Sequence, residues 1–348
     1  MYVIQISNGS LRSVAGWFST PALEVRMPRI SRRALLAGLS AAAAMPALAK
    51  NWPERPIALI HGFPAGGPAD TVSRIVADGL SRHLGQPVLV EAKPGATGTS
   101  AGGLVARAQP DGYTLMTLPA TFPATAAMLQ SLPYRPIDDF SFISTISDYP
   151  LLLVTHPDSG MQTVADVISR ARSRSAPLLY GTAGVGSPMH LTMELFALNA
   201  EITLQHVPYQ GGMPALTDLL ANRIDLMIDP PTTLVQFVQS HKLHGLAVTG
   251  PQRLAALPDV PTMIEAGLVG FSVTVYNGLV APHGLREDIL SKMGGALAAT
   301  LSEPEIIAKL KSIGNEPRLM RPGEFKARVA ADIEQWNHVV DKAHIARI

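Results

Sequence analysis

The junction Phe63-Pro64-Ala65-Gly66-Gly67-Pro68-Ala69-Asp70 constrains this chain more than any other stretch. The apolar run Ile57 to Ile60 before it reads as a buried strand. After it, Val72, Ile75, Val76, Leu80 and Leu84 fall on one face of a helix that Gly85-Gln86-Pro87 ends. A strand, a glycine turn and a helix start together form an anion site: first-turn N–H groups lack helical partners, and the macrodipole favours negative charge. The loop has neither the Lys-Ser/Thr ending of a nucleotide P-loop nor dinucleotide glycine spacing, so it suits a small carboxylate. A plain strand-to-helix turn fits the same residues.

Beyond this junction strands and helices alternate. The spacing predicts strands at Val88 to Glu91, Tyr113 to Leu118, Leu151 to Thr155, Leu178 to Gly181, Thr203 to Val207, Leu226 to Asp229 and Leu243 to Val248. Helices are predicted between them, and Phe271 to Ala281 is strand-like with only helices after it. Such alternation argues for an α/β fold with largely parallel sheets. The stretch Pro119 to Thr125, with two prolines, reads as a loop.

The N-terminal region has the layout of an export signal. Ser31-Arg32-Arg33-Ala34-Leu35-Leu36 is a twin-arginine pattern, an alanine-rich apolar segment follows, and Ala47-Leu48-Ala49 is a cleavage site. At about 16 residues the apolar segment falls short of the ~20 that span a bilayer. Met27 would be a better-placed start, and both the twin-arginine and the general secretory routes fit. Residues 50–348 carry 23 basic and 26 acidic side chains, so no basic field remains to hold nucleic acid. With no cysteine there is no disulfide, thiolate metal site or lipid-anchoring cysteine. The mature product is expected to be a monomeric periplasmic protein that needs no cofactor.

Many spaced motifs then carry a family resemblance. They include Trp52-Pro53-Glu54-Arg55-Pro56-Ile57, the Phe63 to Asp70 loop, Pro110-Asp111-Gly112-Tyr113-Thr114-Leu115 and Gly181-Thr182-Ala183-Gly184-Val185-Gly186-Ser187-Pro188-Met189-His190. His206-Val207-Pro208-Tyr209-Gln210-Gly211-Gly212 and Leu257-Pro258-Asp259-Val260-Pro261-Thr262 continue the series. In this order they resemble the solute-binding receptors of tripartite tricarboxylate transporters, the Bordetella uptake gene (Bug) family, nearly end to end. The resemblance implies a type II-like periplasmic-binding-protein fold: two α/β lobes joined by a hinge, with a ligand cleft between them. The lobes would be 50–149 plus 276–348, and 150–275. The resemblance also implies a non-enzymatic receptor that closes on a small carboxylate solute and delivers it to integral-membrane permease subunits, although an orphan sensing role remains open.

Carried over from the family, the first-lobe contacts are Phe63, Ala65, Gly66, Gly67 and Asp70. On the second lobe they are Thr182, Ala183, Gly184, Gly186 and Ser187, with Tyr209 and Gly211 nearby. Thr121, beyond the Tyr113 to Leu118 strand, is placed to complete the pocket, and Asp229 is placed to accept a ligand amino or hydroxyl group. Asp70 also has a plain reading, complementing the dipole of its helix. The chain departs from the family at Pro64-Ala65, where two prolines are usual, and at Pro230-Pro231, where an asparagine commonly follows the aspartate. It departs again at the prolines of 119–125, where Gly and Ser are more common.

A competing reading is an α/β-hydrolase-like esterase. His61-Gly62-Phe63-Pro64 resembles an oxyanion-hole segment, and Gly98-Thr99-Ser100-Ala101-Gly102 matches the nucleophile-elbow pattern. An elbow needs a strand running straight into its serine, and Pro94-Gly95-Ala96-Thr97 stands in the way. None of the ten histidines, His241, His244, His338 and His344 included, keeps metal-ligand spacing with Asp or Glu. Met189, Met193 and Phe196 line one helix face as core.

Overall fold

The structure is a computed structural model describing residues 52–348; the export segment lies outside the described residues. The first lobe is built from β1 (Ile57–His61), α1 (Pro68–Leu84), β2 (Val88–Ala92), α2 (Thr99–Ala106), β3 (Thr114–Pro119), α3 (Thr121–Met128) and β4 (Phe140–Pro150). The chain then crosses into β5 (Leu152–Thr155), α4 (Val164–Ser173), β6 (Leu178–Thr182), α5 (Pro188–Ala200), β7 (Leu204–Pro208), α6 (Gly212–Leu220), β8 (Leu226–Asp229), α7 (Pro231–Gln239) and β9 (His244–Val248). It returns as β10 (Thr274–Pro282), α8 (Glu287–Leu301), α9 (Pro304–Ser312), the short β11 (Glu316–Pro317) and α10 (Pro322–Lys342).

Two sheets result, ordered β11-β4-β10-β3-β1-β2 and β7-β6-β8-β5-β9. The βα units pair in parallel, β1 with β2 and β3, and β6 with β7 and β8. The crossing strands do not: β10 runs antiparallel to β3 and β4, and β5 antiparallel to β8 and β9. The sheets are therefore mixed where the alternation pointed to largely parallel ones. A strand that carries the chain from one lobe into the other enters without a crossover helix, so nothing sets it parallel to its neighbours.

Helix α1 shows how the sequence sets an element. Pro68 occupies the first turn, where its missing N–H costs nothing, and Gly85 closes the end in a left-handed conformation (φ 70°). Val72, Val76, Leu80 and Leu84 are buried, each contributing about 1.5–3 kcal/mol relative to exposure. The two crossings lie side by side. Leu151 N–H donates to Thr249 Oγ1 (2.8 Å), whose hydroxyl donates to the Val273 carbonyl (2.7 Å). These bonds tie the two crossings together. Among the described residues no helix is long and apolar enough to cross a membrane.

Candidate functional site

The first loop hangs from the C-terminal end of β1. His61, fully buried, closes the strand, and Asp70 in the first turn of α1 is 3% exposed. His61 Nε2 lies 2.9 Å from Asp70 Oδ1, while Asp70 Oδ2 accepts from the Gly66 N–H (2.9 Å) and from Arg74 Nε (2.8 Å). The hydrogen bond from Arg74, then that from the Gly66 amide, holds this carboxyl well below the usual carboxylate range, against a desolvation that acts the other way. Asp70 thus faces its own loop, where it ties strand, turn and helix together. Gly66 turns with φ 80°. Phe63 is half-buried with its ring against Gly98, and Ala65 is exposed.

The second loop hangs from β6 in the same way but is held by neutral groups. Thr182 Oγ1, in a fully buried residue, lies 2.7 Å from His206 Nε2 and accepts from the Gly184 N–H (3.3 Å). Gly186 N–H donates to His190 Nδ1 (3.0 Å), and the Ser187 hydroxyl caps α5 by accepting from the His190 N–H (3.2 Å). The two imidazoles stack with ring centres 3.9 Å apart, and Tyr180 stacks on His206 at 5.0 Å. Burial lowers His206 to about 4 and, with the neighbouring His206, lowers His190 to about 3. Both rings are neutral, as the acceptor role of His190 Nδ1 requires. Burial pushes Glu194 up, and the Tyr180 hydroxyl donates to it.

The remaining residues gather around these loops. Tyr209 N–H donates to the Thr182 carbonyl (3.1 Å), and its hydroxyl to Asp218 Oδ2 (2.8 Å). Gly211, at φ 111°, opens α6. Asp229 ends β8 and is 4% exposed; a Cβ on Gly212 would sit 2.5 Å from its Oδ2, so this approach requires glycine. Burial raises the Asp229 carboxyl to about 6, against a hydrogen bond from Thr233. Thr121 starts α3, with its Oγ1 buried and without a hydrogen-bond partner among the described residues. At the other end of α3, Met128 Cγ lies 2.8 Å from where a Gly186 Cβ would stand, so the lobes meet there.

The backbone donors divide in an unexpected way. The amides of Gly66, Gly67, Gly184, Gly186 and Ser187 all donate within their own loops. Those of Phe63, Ala65, Ala183 and Val185 have no acceptor among the described residues. The Arg74 side chain on α1 is paired with Asp70. Sequence reasoning missed Val185 and also Met213, apolar side chains 55% and 62% exposed beside the loop glycines. It named His61, His190 and His206 within motifs but gave none of them a part in holding the loops. A separate cavity of about 260 Å³, between Ala120, Pro188, Val273 and Trp336 and bordering the second crossing, includes neither glycine loop.

Ser100 lies in the first turn of α2, exposed, and the chain reaches it from a 3-10 turn over Ala96–Gly98. The strand that a nucleophile elbow requires is missing. Among the described residues no three of His, Asp and Glu converge as metal ligands do.

The family model of the tripartite tricarboxylate transporter family receptor matches residues 72–345. This chain belongs to that receptor family. Its fold is that of the periplasmic binding protein BugD, with 33% identity and a TM-score of 0.69 over 85% of this chain and 99% of BugD. A Rhodopseudomonas palustris protein solved with adipate is 33% identical, with a TM-score of 0.72 over 85% of this chain and all of its own (100%). MatC of the same organism, solved with bound malate, is 31% identical, with a TM-score of 0.69 over 83% of this chain and 100% of MatC. The receptor family is one of binding proteins, and the two-lobed architecture is the one expected of them.

Proposed function

We propose that this receptor captures a small carboxylate-bearing solute in the periplasm, by hinge closure, and delivers it as a monomer to the membrane subunits of a tripartite transporter. The observation that carries the reading is the pair of strand-turn-helix loops. Each leaves backbone amides free while its glycine amides lock the turn, and the unpartnered Thr121 hydroxyl lies at a third strand end. Amides at helix starts bind an anion without a cationic side chain. The adipate and malate bound by relatives fit the same chemistry. Phe63, Ala65, Gly66, Gly67 and Thr121 would line one wall, and Thr182, Ala183, Gly184, Gly186, Ser187, Tyr209, Gly211 and Asp229 the other. Closed, the lobes would present a composite surface to the permease; open, they would release the solute.

A thermal-shift screen against small carboxylates tests this. A ligand at 100 times its dissociation constant adds about 2.7 kcal/mol of stability, a clear rise in Tm. A panel of mono-, di- and tricarboxylates, amino acids and hydroxy acids that leaves Tm unmoved would overturn the reading.

A further inference from the structure

The cavity of about 260 Å³ that borders the second crossing is lined by two kinds of group. Pro123, Pro188, Val273, Val275, Met320 and Trp336 form an apolar wall drawn from α3, α5, the start of β10 and α10, while Arg318 and Arg328 give it a cationic end. Both guanidinium groups lean on one acid. Asp148 Oδ2 lies 3.3 Å from Arg318 Nη1 and 3.7 Å from Arg328 Nη1, and it has no hydrogen-bond partner among the described residues. Arg328 is the better held of the two cations, with its side chain 17% exposed and its guanidinium carbon 4.3 Å from the centre of the Tyr276 ring. Its Nη2 donates to the Thr274 carbonyl (3.1 Å) and hydroxyl (2.6 Å), whereas Nε and Nη1 make no hydrogen bond among the described residues. A largely buried guanidinium with unused donors suits a planar pair of acceptor oxygens. Asp332, one turn along α10, is the other acid on the wall. Burial pushes its carboxyl up, toward the neutral form, so it opposes an anion less than an exposed aspartate would.

We propose that this cavity is a second binding site, separate from the glycine loops, for a small monocarboxylate with an apolar body. Arg328 and Arg318 hold the carboxylate, and Trp336 packs against the hydrocarbon. The glycine loops offer backbone amides, whereas this site offers side-chain cations beside an indole and three walls of proline and valine, so the two select by different chemistry. A second carboxylate on the same molecule would lie against the apolar wall or beside Asp332, at a cost in desolvation or like-charge repulsion. The site does not depend on the receptor reading above.

Residues 50–348 contain two tryptophans, Trp52 and Trp336, so a proton–nitrogen correlation spectrum of the mature protein carries two indole signals, which Trp336→Phe assigns. Titration with 3-phenylpropionate at neutral pH should move the Trp336 signal to saturation and leave that of Trp52 in place. The uncharged 3-phenylpropanamide has the same shape and should bind about ten- to a hundredfold more weakly, the value of a hydrogen bond to a charged group. The dicarboxylate 3-(4-carboxyphenyl)propionate should also bind more weakly than the parent probe. Arg328→Met keeps the packing of the side-chain stem and should lose affinity by a similar factor, and Arg318→Met, on the more exposed cation, by less. The amide comparison needs no variant, so it decides the matter even if Arg328→Met fails to fold. The proposal is overturned if the Trp336 signal does not move, if the amide binds as tightly as the carboxylate, or if folded Arg328→Met keeps the parent affinity. Movement of the glycine-loop amides with Trp336 unmoved would place the probe at those loops, which overturns this site and leaves the receptor reading standing.

Discussion

The two glycine loops share a backbone plan and are held by opposite chemistry. In the first lobe an ionised carboxylate, Asp70, gathers an imidazole, an amide and a guanidinium. In the second, neutral imidazoles do the gathering: His190 takes the Gly186 amide, and His206 meets the Thr182 hydroxyl. A strand-turn-helix junction needs some acceptor to fix its turn, and either a charge or an uncharged ring serves. The choice decides how each loop responds to acid. It also means that the glycine amides hold the turns, while the neighbouring amides have no acceptor among the described residues.

Removing the charged clamp should have the largest effect. Asp70→Ala deletes hydrogen bonds to the charged group at His61, Gly66 and Arg74 together, and should cost about 2–4 kcal/mol, less than their sum because they act as one network. Urea unfolding measures this. A loss under about 0.5 kcal/mol would show that the three contacts are not what holds the loop. The carboxyl is depressed in the folded state, so its contribution is fully present above the ordinary carboxylate range. That contribution is lost only as pH falls below that range.

The second loop should respond at milder acidity. His190 and His206 are lowered from 6.5 to about 3 and about 4, so they stay neutral when folded and become protonated when unfolded. Stability is complete above about pH 6.5 and falls as pH drops through that value toward 4, by up to about 1.4 kcal/mol per pH unit for each ring. Asp229 acts in the reverse sense. Its carboxyl is raised to about 6, so its cost to stability fades as pH falls through 6. His190→Phe keeps the stack, loses the acceptor for Gly186, and should cost about 1–2 kcal/mol at neutral pH while flattening the acid slope. Hydrogen exchange at the two loops between pH 7 and 5 sharpens the comparison. Only the amides of the second loop should exchange faster than chemistry alone dictates, and equal acceleration at both loops would erase the distinction.

How much of this was legible in the sequence depends on whether burial was local. The α1 and β6 units were readable because apolar periodicity and terminal Gly and Pro mark them directly. Strand β4 escaped notice because its interior is polar: Ser144, Thr145, Ser147 and Asp148 are all buried. Thr145 is satisfied by the Arg318 carbonyl (2.7 Å) and Ser147 by Asn315 Oδ1 (2.8 Å), partners more than a hundred positions away that no pattern rule sees. Helix α3 was read as a loop because of its prolines, yet Pro123 lies in the first turn, where proline is tolerated. The glycine loops were legible as motifs, but the inward turn of Asp70 was not. His61 and Arg74 both had to reach it, and only the folded β1-α1 unit brings them there.

The smallest expected effect falls outside both loops, at Ser100. If the match to a nucleophile elbow meant anything, this serine would need a base within hydrogen-bond reach and a strand to present it. It has instead an exposed place in the first turn of α2, with its Oγ 2.8 Å from where a Cβ on Gly95 would sit. Ser100→Ala removes one exposed hydroxyl from a helix start without opening a cavity. Unfolding free energy should stay within about 0.5 kcal/mol of the parent, and solute affinity should not change. The same variant discriminates between the two readings of the chain. A receptor binds without turnover, so hydrolysis of a chromogenic ester by the purified protein should be absent, or equal in parent and variant. Ester cleavage that disappears with Ser100 would mean that catalysis can be built at a serine no strand presents, and the hydrolase reading would then replace the receptor.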